Sequence, residues 1–376
     1  MSFTTGNKVK ITIFGASHGE CVGITLEGVP CGFEIDLSKL DQEMARRRPK
    51  SPYSTQRGEK DQYEIISGIF ENKTTGGPIT CIIPNKDTKS QDYNRYVPRP
   101  GHADYVANVR YKGFNDYRGG GFFSGRMTAP LVFAGSICKQ ILERENINIY
   151  SHILSVGKVQ EISFKDILNN DPPFGGIRGD DLPHYAITPK NHKGFFGDPD
   201  LGGDVAKGDR GGIIGKTKIS SFPCIEKESE FLDEIKKYEN DSVGGVCELM
   251  VMGMPVGVGE PFFDSIESTL SKLYFSIPGI KGVEFGEGFN ITTLLGSEAN
   301  KSIDGINGGL SNGLPIITRV AVRPTPSIMK PQESFNMETG EPCEIITKGR
   351  HDKAIILRIA PILEATTAIG LLDLMS

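Results

Sequence analysis

The sequence predicts an α+β fold, on two observations. Alternating apolar stretches that suit strands and three-to-four-residue apolar spacings that suit helices both occur along the chain. They follow no regular β-α-β rhythm with a glycine-rich first turn, which argues against a doubly wound nucleotide-binding sheet. Lys8 to Phe14 alternates and reads as a strand, and Cys21 to Leu26 as a second, with the turn-rich Gly15–Gly19 between them. Asp36 to Arg48 predicts a helix, because Leu37, Leu40 and Met44 fall at helical spacing and three arginines close it. Gln62 to Phe70 and Ile79 to Ile83 are strand-like. Thr128 to Glu145 predicts a long helix with Leu131, Phe133, Ile137 and Ile141 on its apolar face. Further helices are expected over Phe231 to Tyr238, Phe263 to Phe275 and Ile362 to Leu374, and a strand over Ile316 to Val322. Residues 170–215 are rich in Gly, Pro and Asp and lack periodicity, so they read as a long surface excursion.

Composition narrows the function. The 376 residues suit one large or two ordinary domains, and 38% hydrophobic against 24% charged residues fits a globular chain with a sizeable core. A net charge of -5 gives no global basic field for nucleic acid, so an anionic ligand would need positive charge gathered locally. The seven cysteines are dispersed and form no CxxC pair, which argues against a disulfide framework or a zinc site and for a reducing compartment. No signal peptide is visible, and no apolar run is long enough to span a bilayer.

Several clusters could carry chemistry. Gly15-Ala16-Ser17-His18-Gly19 puts a histidine on a tight turn, where a ligand can come close and a proton can be exchanged near neutrality; a solvated turn histidine is the alternative. Arg46-Arg47-Arg48, followed by Lys50 and Arg57, suits a helix end facing water, yet guanidinium is also the preferred partner of phosphate and carboxylate. Adjacent positions diverge around a helix, so at most one or two of the three arginines can reach one ligand. Pro98-Arg99-Pro100-Gly101-His102-Ala103-Asp104 stiffens an Arg–His pair ahead of an expected helix at His102 to Tyr111. Asp116 to Thr128 is a glycine run feeding a helix start with Ser124 and Arg126, a geometry that suits phosphate, though it matches neither GxxxxGK[ST] nor GxGxxG. Asp241 to Glu248 reads as a structural cap. Arg323-Pro324-Thr325-Pro326-Ser327 ends a strand as a candidate phosphate clamp, and Lys348-Gly349-Arg350-His351-Asp352 sets a carboxylate beside a cation; surface turns are the bland reading of both.

Together these segments resemble the chorismate synthase family. The likeness runs in order through FGxSHG at 14–19, RRRP at 46–49, SGxFxxxTTGxPI at 67–79, SxDY at 90–93 and RPGHAD at 99–104. It continues through DYRGGG at 116–121, SxRxT at 124–128, DSVGG at 241–245, GxGEPFFDS at 257–265, SIPxxKGVEFGEGF at 276–289, PTPSI at 324–328 and GRHD at 349–352, and thins over roughly 160–235. The resemblance implies one domain over 1–376 with a β-α-β sandwich, in a cytoplasmic homotetramer. It implies a lyase that uses reduced FMN to eliminate phosphate from 5-enolpyruvylshikimate 3-phosphate, with NADPH or an external flavin reductase as the source of electrons. Carried over by position, His18 would protonate the leaving phosphate, His102 would protonate the reduced flavin, and Asp352 would help a flavin nitrogen accept the ring proton. Ser17, Arg47, Arg99, Ser124, Arg126 and Arg350 would bind substrate. Ser124, Gly308, Arg323, Pro324, Thr325, Pro326, Ser327 and Arg350 would bind the flavin.

The chain departs from the family where Phe122-Phe123-Ser124 replaces a common Arg-Ser-Ser, which removes a cation from an expected flavin contact. That departure leaves open a non-catalytic flavin- or phosphate-binding paralogue. A phosphatase would need a nucleophile or a carboxylate metal cluster, and neither stands at a recognisable spacing. A nucleic-acid binder is disfavoured by the net charge.

Overall fold

The computed structural model describes residues 3–49, 51, 53–54, 57–170, 223–347 and 351–376. The 170–215 excursion therefore falls outside the described residues, save Asn170 at its edge, and so does Arg350.

Two five-stranded antiparallel sheets form the outer layers. The first contains β1 (Thr4–Thr5), β2 (Lys10–Gly15), β3 (Cys21–Glu27), β4 (Glu64–Ser67) and β5 (Ile79–Pro84), in the order β1-β2-β3-β5-β4. Its register pairs Ile11 with Leu26 and Ile24 with Cys81. In β5 the alternation is strict: Ile79, Cys81 and Ile83 are buried, while the residues between them are half-buried. The second sheet contains β6 (Asn148–Val156), β7 (Val159–Gln160), β8 (Gly245–Met252), β9 (Ile280–Phe285) and β10 (Ile316–Val322), in the order β9-β10-β8-β6-β7.

Between the sheets lie α1 (Leu37–Arg47), α3 (Thr128–Arg144), α6 (Ile266–Ser276) and α7 (Ala360–Met375); α2 (Asp104–Arg110), α4 (Phe164–Asn170) and α5 (Glu228–Lys236) lie outside this layer. Helix α3 packs on the first sheet, α7 on the second, and the two pack on each other. The crossing is close because Gly135 faces Ala365; a Cβ on Gly135 would come within 2.3 Å of the Ala365 Cβ. Every residue from Ala360 to Asp373 is buried, as expected of a helix apolar on all sides. The architecture is the β-α-β sandwich that the resemblance implies. Sequence pattern does not single out β6 as a strand, because a central strand covered on both faces loses the one-in, one-out alternation.

A buried charge cluster joins the layers. Glu364, in the second turn of α7, accepts from Arg46 at 2.6 Å on each carboxylate oxygen, from Lys139 of α3 at 2.6 Å, and from the Ser151 hydroxyl of β6 at 2.6 Å. Burial would raise this carboxyl, but the Arg46 and Lys139 charges outweigh it and hold it at about 2. The stability it lends is thus complete above its ordinary value of 4.5 and drains away as pH falls towards 2. Glu364→Gln should cost about 3 kcal/mol in urea unfolding at neutral pH, because Arg46 and Lys139 lose their buried counter-charge and keep only the half-buried Glu43. A loss under about 1 kcal/mol would mean that the cluster is not needed to hold the helices together.

Candidate active site

The ends of α1 and α3, the Gly119–Gly121 turn, the Arg99–Ala103 turn, and the segments after β10 and before α7 surround a cavity of about 600 Å³. Its wall carries Arg47, Arg57, Arg99, Arg126, Arg323, Arg358 and Lys281 against three carboxylates, Glu59, Asp61 and Asp352. The overall charge is negative, yet the cavity is strongly cationic.

Two of these arginines are fixed by one buried carboxylate. Asp61 has a left-handed backbone, φ 49°, a conformation that Asp tolerates better than most residues. One of its oxygens accepts from Arg47 at 2.6 Å and the other from Arg126. Arg47 also donates to the Thr128 hydroxyl and the Gly125 carbonyl, and Arg126 to Asn85 and the Pro84 carbonyl. Burial lowers the Arg47 guanidinium to about 10, with Asp61 opposing the fall and Arg358 and Arg126 adding to it, so it stays protonated at neutral pH. Burial would raise the Asp61 carboxyl, but Arg47 and Arg126 bring it below the usual range.

Ser17 is buried at the wall, and its hydroxyl accepts from Arg57 at 3.0 Å. His18, beside it, meets Tyr93 in a T-shaped contact at 5.2 Å between centroids. Burial, reinforced by the Arg57 charge, lowers the imidazole below its ordinary 6.5, while Asp116 opposes the fall. Gly119 lets the turn pass over this histidine: a Cβ there would stand 2.9 Å from Nε2. On the far side of the glycine turn, His102 Nδ1 lies 2.7 Å from an Asp104 oxygen. Asp104 also accepts from Arg99 Nε at 2.7 Å, from its Nη2 at 2.8 Å and from its backbone N–H at 3.1 Å. Burial would raise the Asp104 carboxyl, but these bonds take it far below the carboxylate range.

Arg323 donates to the Gly101 carbonyl at 2.9 Å, and Ser327 accepts from Arg99 at 3.4 Å. The Thr325 hydroxyl is buried at the wall with no hydrogen-bond partner among the described residues. Asp352 receives Arg358 Nη1 at 3.0 and 3.1 Å. The Ser124 hydroxyl caps the turn leading into α3 by accepting from the Arg126 backbone N–H at 3.3 Å.

Most residues singled out from sequence thus meet at one cavity: Ser17, Arg47, Arg99, His102, Ser124, Arg126, Arg323, Thr325, Pro326, Ser327 and Asp352 line it. His18 sits immediately behind Ser17 and Gly119. Pro324 and Gly308 are exposed and outside the lining. Gly308 lies in the turn of a small hairpin, Ile306–Asn307 with Leu310–Ser311, with φ 61°. Asp61, Glu59, Arg358, Lys281 and the orienting role of Asp104 have no signal in the local pattern, and Arg57 reads there only as a helix-flanking cation. Phe122 and Phe123 line the cavity but also pack on each other, and Phe122 meets Phe3 and Tyr111 edge-on at 5.4 and 5.1 Å. Phe122 thus belongs to an aromatic cluster with Phe3, Tyr111 and Phe123.

A two-sheet fold with a cationic cavity and two histidines at its glycine turn defines an enzyme for a small, multiply charged anion. The family model for chorismate synthase matches residues 9–376, and the chain belongs to that family. It is 38% identical to the chorismate synthase of Aeropyrum pernix, over 98% of this chain and 92% of the relative. With the Methanocaldococcus jannaschii enzyme the identity is 39%, over 99% and 96%. A crystal structure of chorismate synthase superposes with a TM-score of 0.65 at 25% identity, covering 99% of this chain and 92% of the other. The chain is accordingly a lyase, and the non-catalytic reading has no support. Among the described residues no helix is long and apolar enough to cross a membrane.

Asp61→Ala should cost about 3–5 kcal/mol, because two guanidinium groups then share one buried space without a counter-ion. Inorganic phosphate should restore part of that loss and raise the variant's Tm more than the parent's. An equal rise in both proteins would mean that the Asp61 site does not face the anion-binding space.

Proposed function

We propose that the cavity binds 5-enolpyruvylshikimate 3-phosphate beside reduced FMN and drives a 1,4-anti elimination. The ring C–O bond to phosphate and a ring C–H bond break, a second ring double bond forms, and phosphate leaves with the bonding electrons. The observation that carries this reading is the pooling of seven cations around one cavity in a chain of negative net charge. Phosphate departs readily only where its developing charge is met by fixed donors in a site shielded from water.

The residues fit a flavin phosphate. The unpartnered Thr325 hydroxyl, Arg323 two residues away and Ser327 offer it donors, with Ser124 across the cavity. The chemistry supplied by a bound reduced flavin is an electron-rich ring that eases loss of phosphate with no net redox change. Arg47, Arg99 and Arg126 would hold the substrate's phosphate and carboxylates through N–H groups left over from their fixed bonds. His18 would give a proton to the departing phosphate. Asp352, anchored by Arg358, would assist removal of the ring proton, and His102 would hold a proton near the flavin. The family likeness also supports a homotetramer in the cytoplasm, with NADPH or a separate flavin reductase keeping the flavin reduced.

Under anaerobic conditions with FMN, dithionite and this substrate, phosphate and chorismate should appear together, and both should stop when flavin is omitted. Turnover without flavin would sink the proposal. His18→Ala should slow turnover by about 10²–10⁴-fold, the usual worth of a placed proton donor. Because burial and the Arg57 charge hold His18 below its ordinary value just behind the cavity wall, the substrate's negative charge should raise it and load it with a proton. Calorimetry in buffers of different ionisation enthalpy at about pH 7.5 should therefore show net proton uptake on binding, a pH at which the phosphate ester is already mostly dianionic. Absence of uptake would remove His18 from the proton path.

A further inference from the structure

We infer that Asp104 is the positioning residue of His102, and that it makes Nε2 the atom through which that ring exchanges protons. The inference rests on the reading of His102 as a proton carrier at the cavity wall.

Four bonds converge on Asp104. Oδ2 takes Arg99 Nε and the Arg99 backbone N–H, while Oδ1 takes Arg99 Nη2 and stands 2.7 Å from His102 Nδ1. A carboxylate without a proton can only accept, so the hydrogen on this bond belongs to His102 Nδ1. Nδ1–H fixes the neutral tautomer and leaves the Nε2 lone pair as the reactive position; a second proton enters and leaves there. Arg99 Nη2 lies 3.1 Å from Nδ1 and 3.3 Å from Nε2; with Nδ1 protonated it can donate only to Nε2, so the guanidinium flanks the ring, limits its rotation and shares the Nε2 lone pair until a second proton takes it. Gly120, with φ 80°, closes the other side: a Cβ there would meet Cε1 at 2.9 Å and Nε2 at 3.2 Å. The ring is held from three directions, and Asp104 alone both orients it and sets its tautomer. The arrangement has the logic of the Asp–His pair in serine proteases, where replacing Asp by Asn leaves the geometry but selects the wrong tautomer.

The tautomer is directly measurable. Nitrogen-15 spectra of the full-length protein, with the His102 signal assigned by its loss in His102→Gln, should show a protonated Nδ1 and an unprotonated Nε2 in the neutral ring. Asp104→Asn should shift the ring towards the Nε2–H form and cut kcat at least tenfold, with KM for substrate changed much less. At saturating substrate the Asp104→Asn/His102→Gln double variant should have the kcat of His102→Gln alone, because on kcat Asp104 acts through the ring; any further loss should fall on KM, through Arg99, which Asp104 also holds. An Nε2–H ring in the parent protein, or an unchanged tautomer in Asp104→Asn, would overturn the proposal. So would two effects on kcat that multiply in the double variant. Should Asp104→Asn fail to fold, the parent spectrum alone still decides the tautomer. Should His102→Gln turn over like the parent, the proton-carrier reading of His102 fails, while the spectra continue to judge what Asp104 does.

Discussion

Arg46 and Arg47 are neighbours at the end of one helix and point about 100° apart around its axis. The structure depends on each meeting a different buried carboxylate. Arg46 reaches inward to Glu364 and locks the helix to the central layer. Arg47, the more deeply buried of the two, reaches Asp61 and becomes cavity wall. One helix end therefore sets both the spacing of the layers and the position of the first cation of the site. Its N-terminus is fixed by Asp36, whose side chain accepts from the Ser38 and Lys39 N–H groups, so the helix cannot slide along its axis without breaking bonds at both ends.

The same device recurs around the cavity. Each buried or half-buried arginine there is held by an acceptor that is itself part of the frame: Arg126 and Arg47 by Asp61, Arg99 by Asp104, Arg358 by Asp352, Arg57 by Glu59 and Ser17. The carboxylates offset the self-repulsion of the cations without cancelling it, because cations outnumber acids on the wall. Guanidinium suits this use. It spends some of its five N–H groups on the frame and keeps others for a ligand, which a lysine ammonium does with less geometric control. Preorganised charge of this kind need not reorganise when phosphate departs, which is where such sites gain their rate.

Much of this was legible in the sequence. The long helices were readable because their apolar faces repeat at helical spacing, and Ile316–Val322 because its apolar run is bounded by turns. Ser17, His18, Arg99, His102 and Ser124 stood out because glycine or proline punctuates the chain around them, and close approach of backbone to side chain needs those residues, as at Gly119 and Gly120. Asp61 was not legible. It lies in a polar stretch without periodicity, and its meaning comes from partners 14 and 65 positions away that only the closed fold brings together. Arg358 lies in the short turn before α7, and its pairing with Asp352 depends on how that turn is seated. The resemblance supplied Gly308 as a site residue, while the fold places it on an exposed hairpin turn outside the cavity.

The central claim is that buried carboxylates hold the cationic wall ready before the substrate arrives. A structure determined with 5-enolpyruvylshikimate 3-phosphate in place tests this most directly. The account predicts the substrate's phosphate and carboxylates about 3 Å from guanidinium nitrogens of the cavity, with Asp61 still bridging Arg47 and Arg126. A substrate seated elsewhere, or an Asp61 displaced from both arginines by the incoming anion, would contradict it.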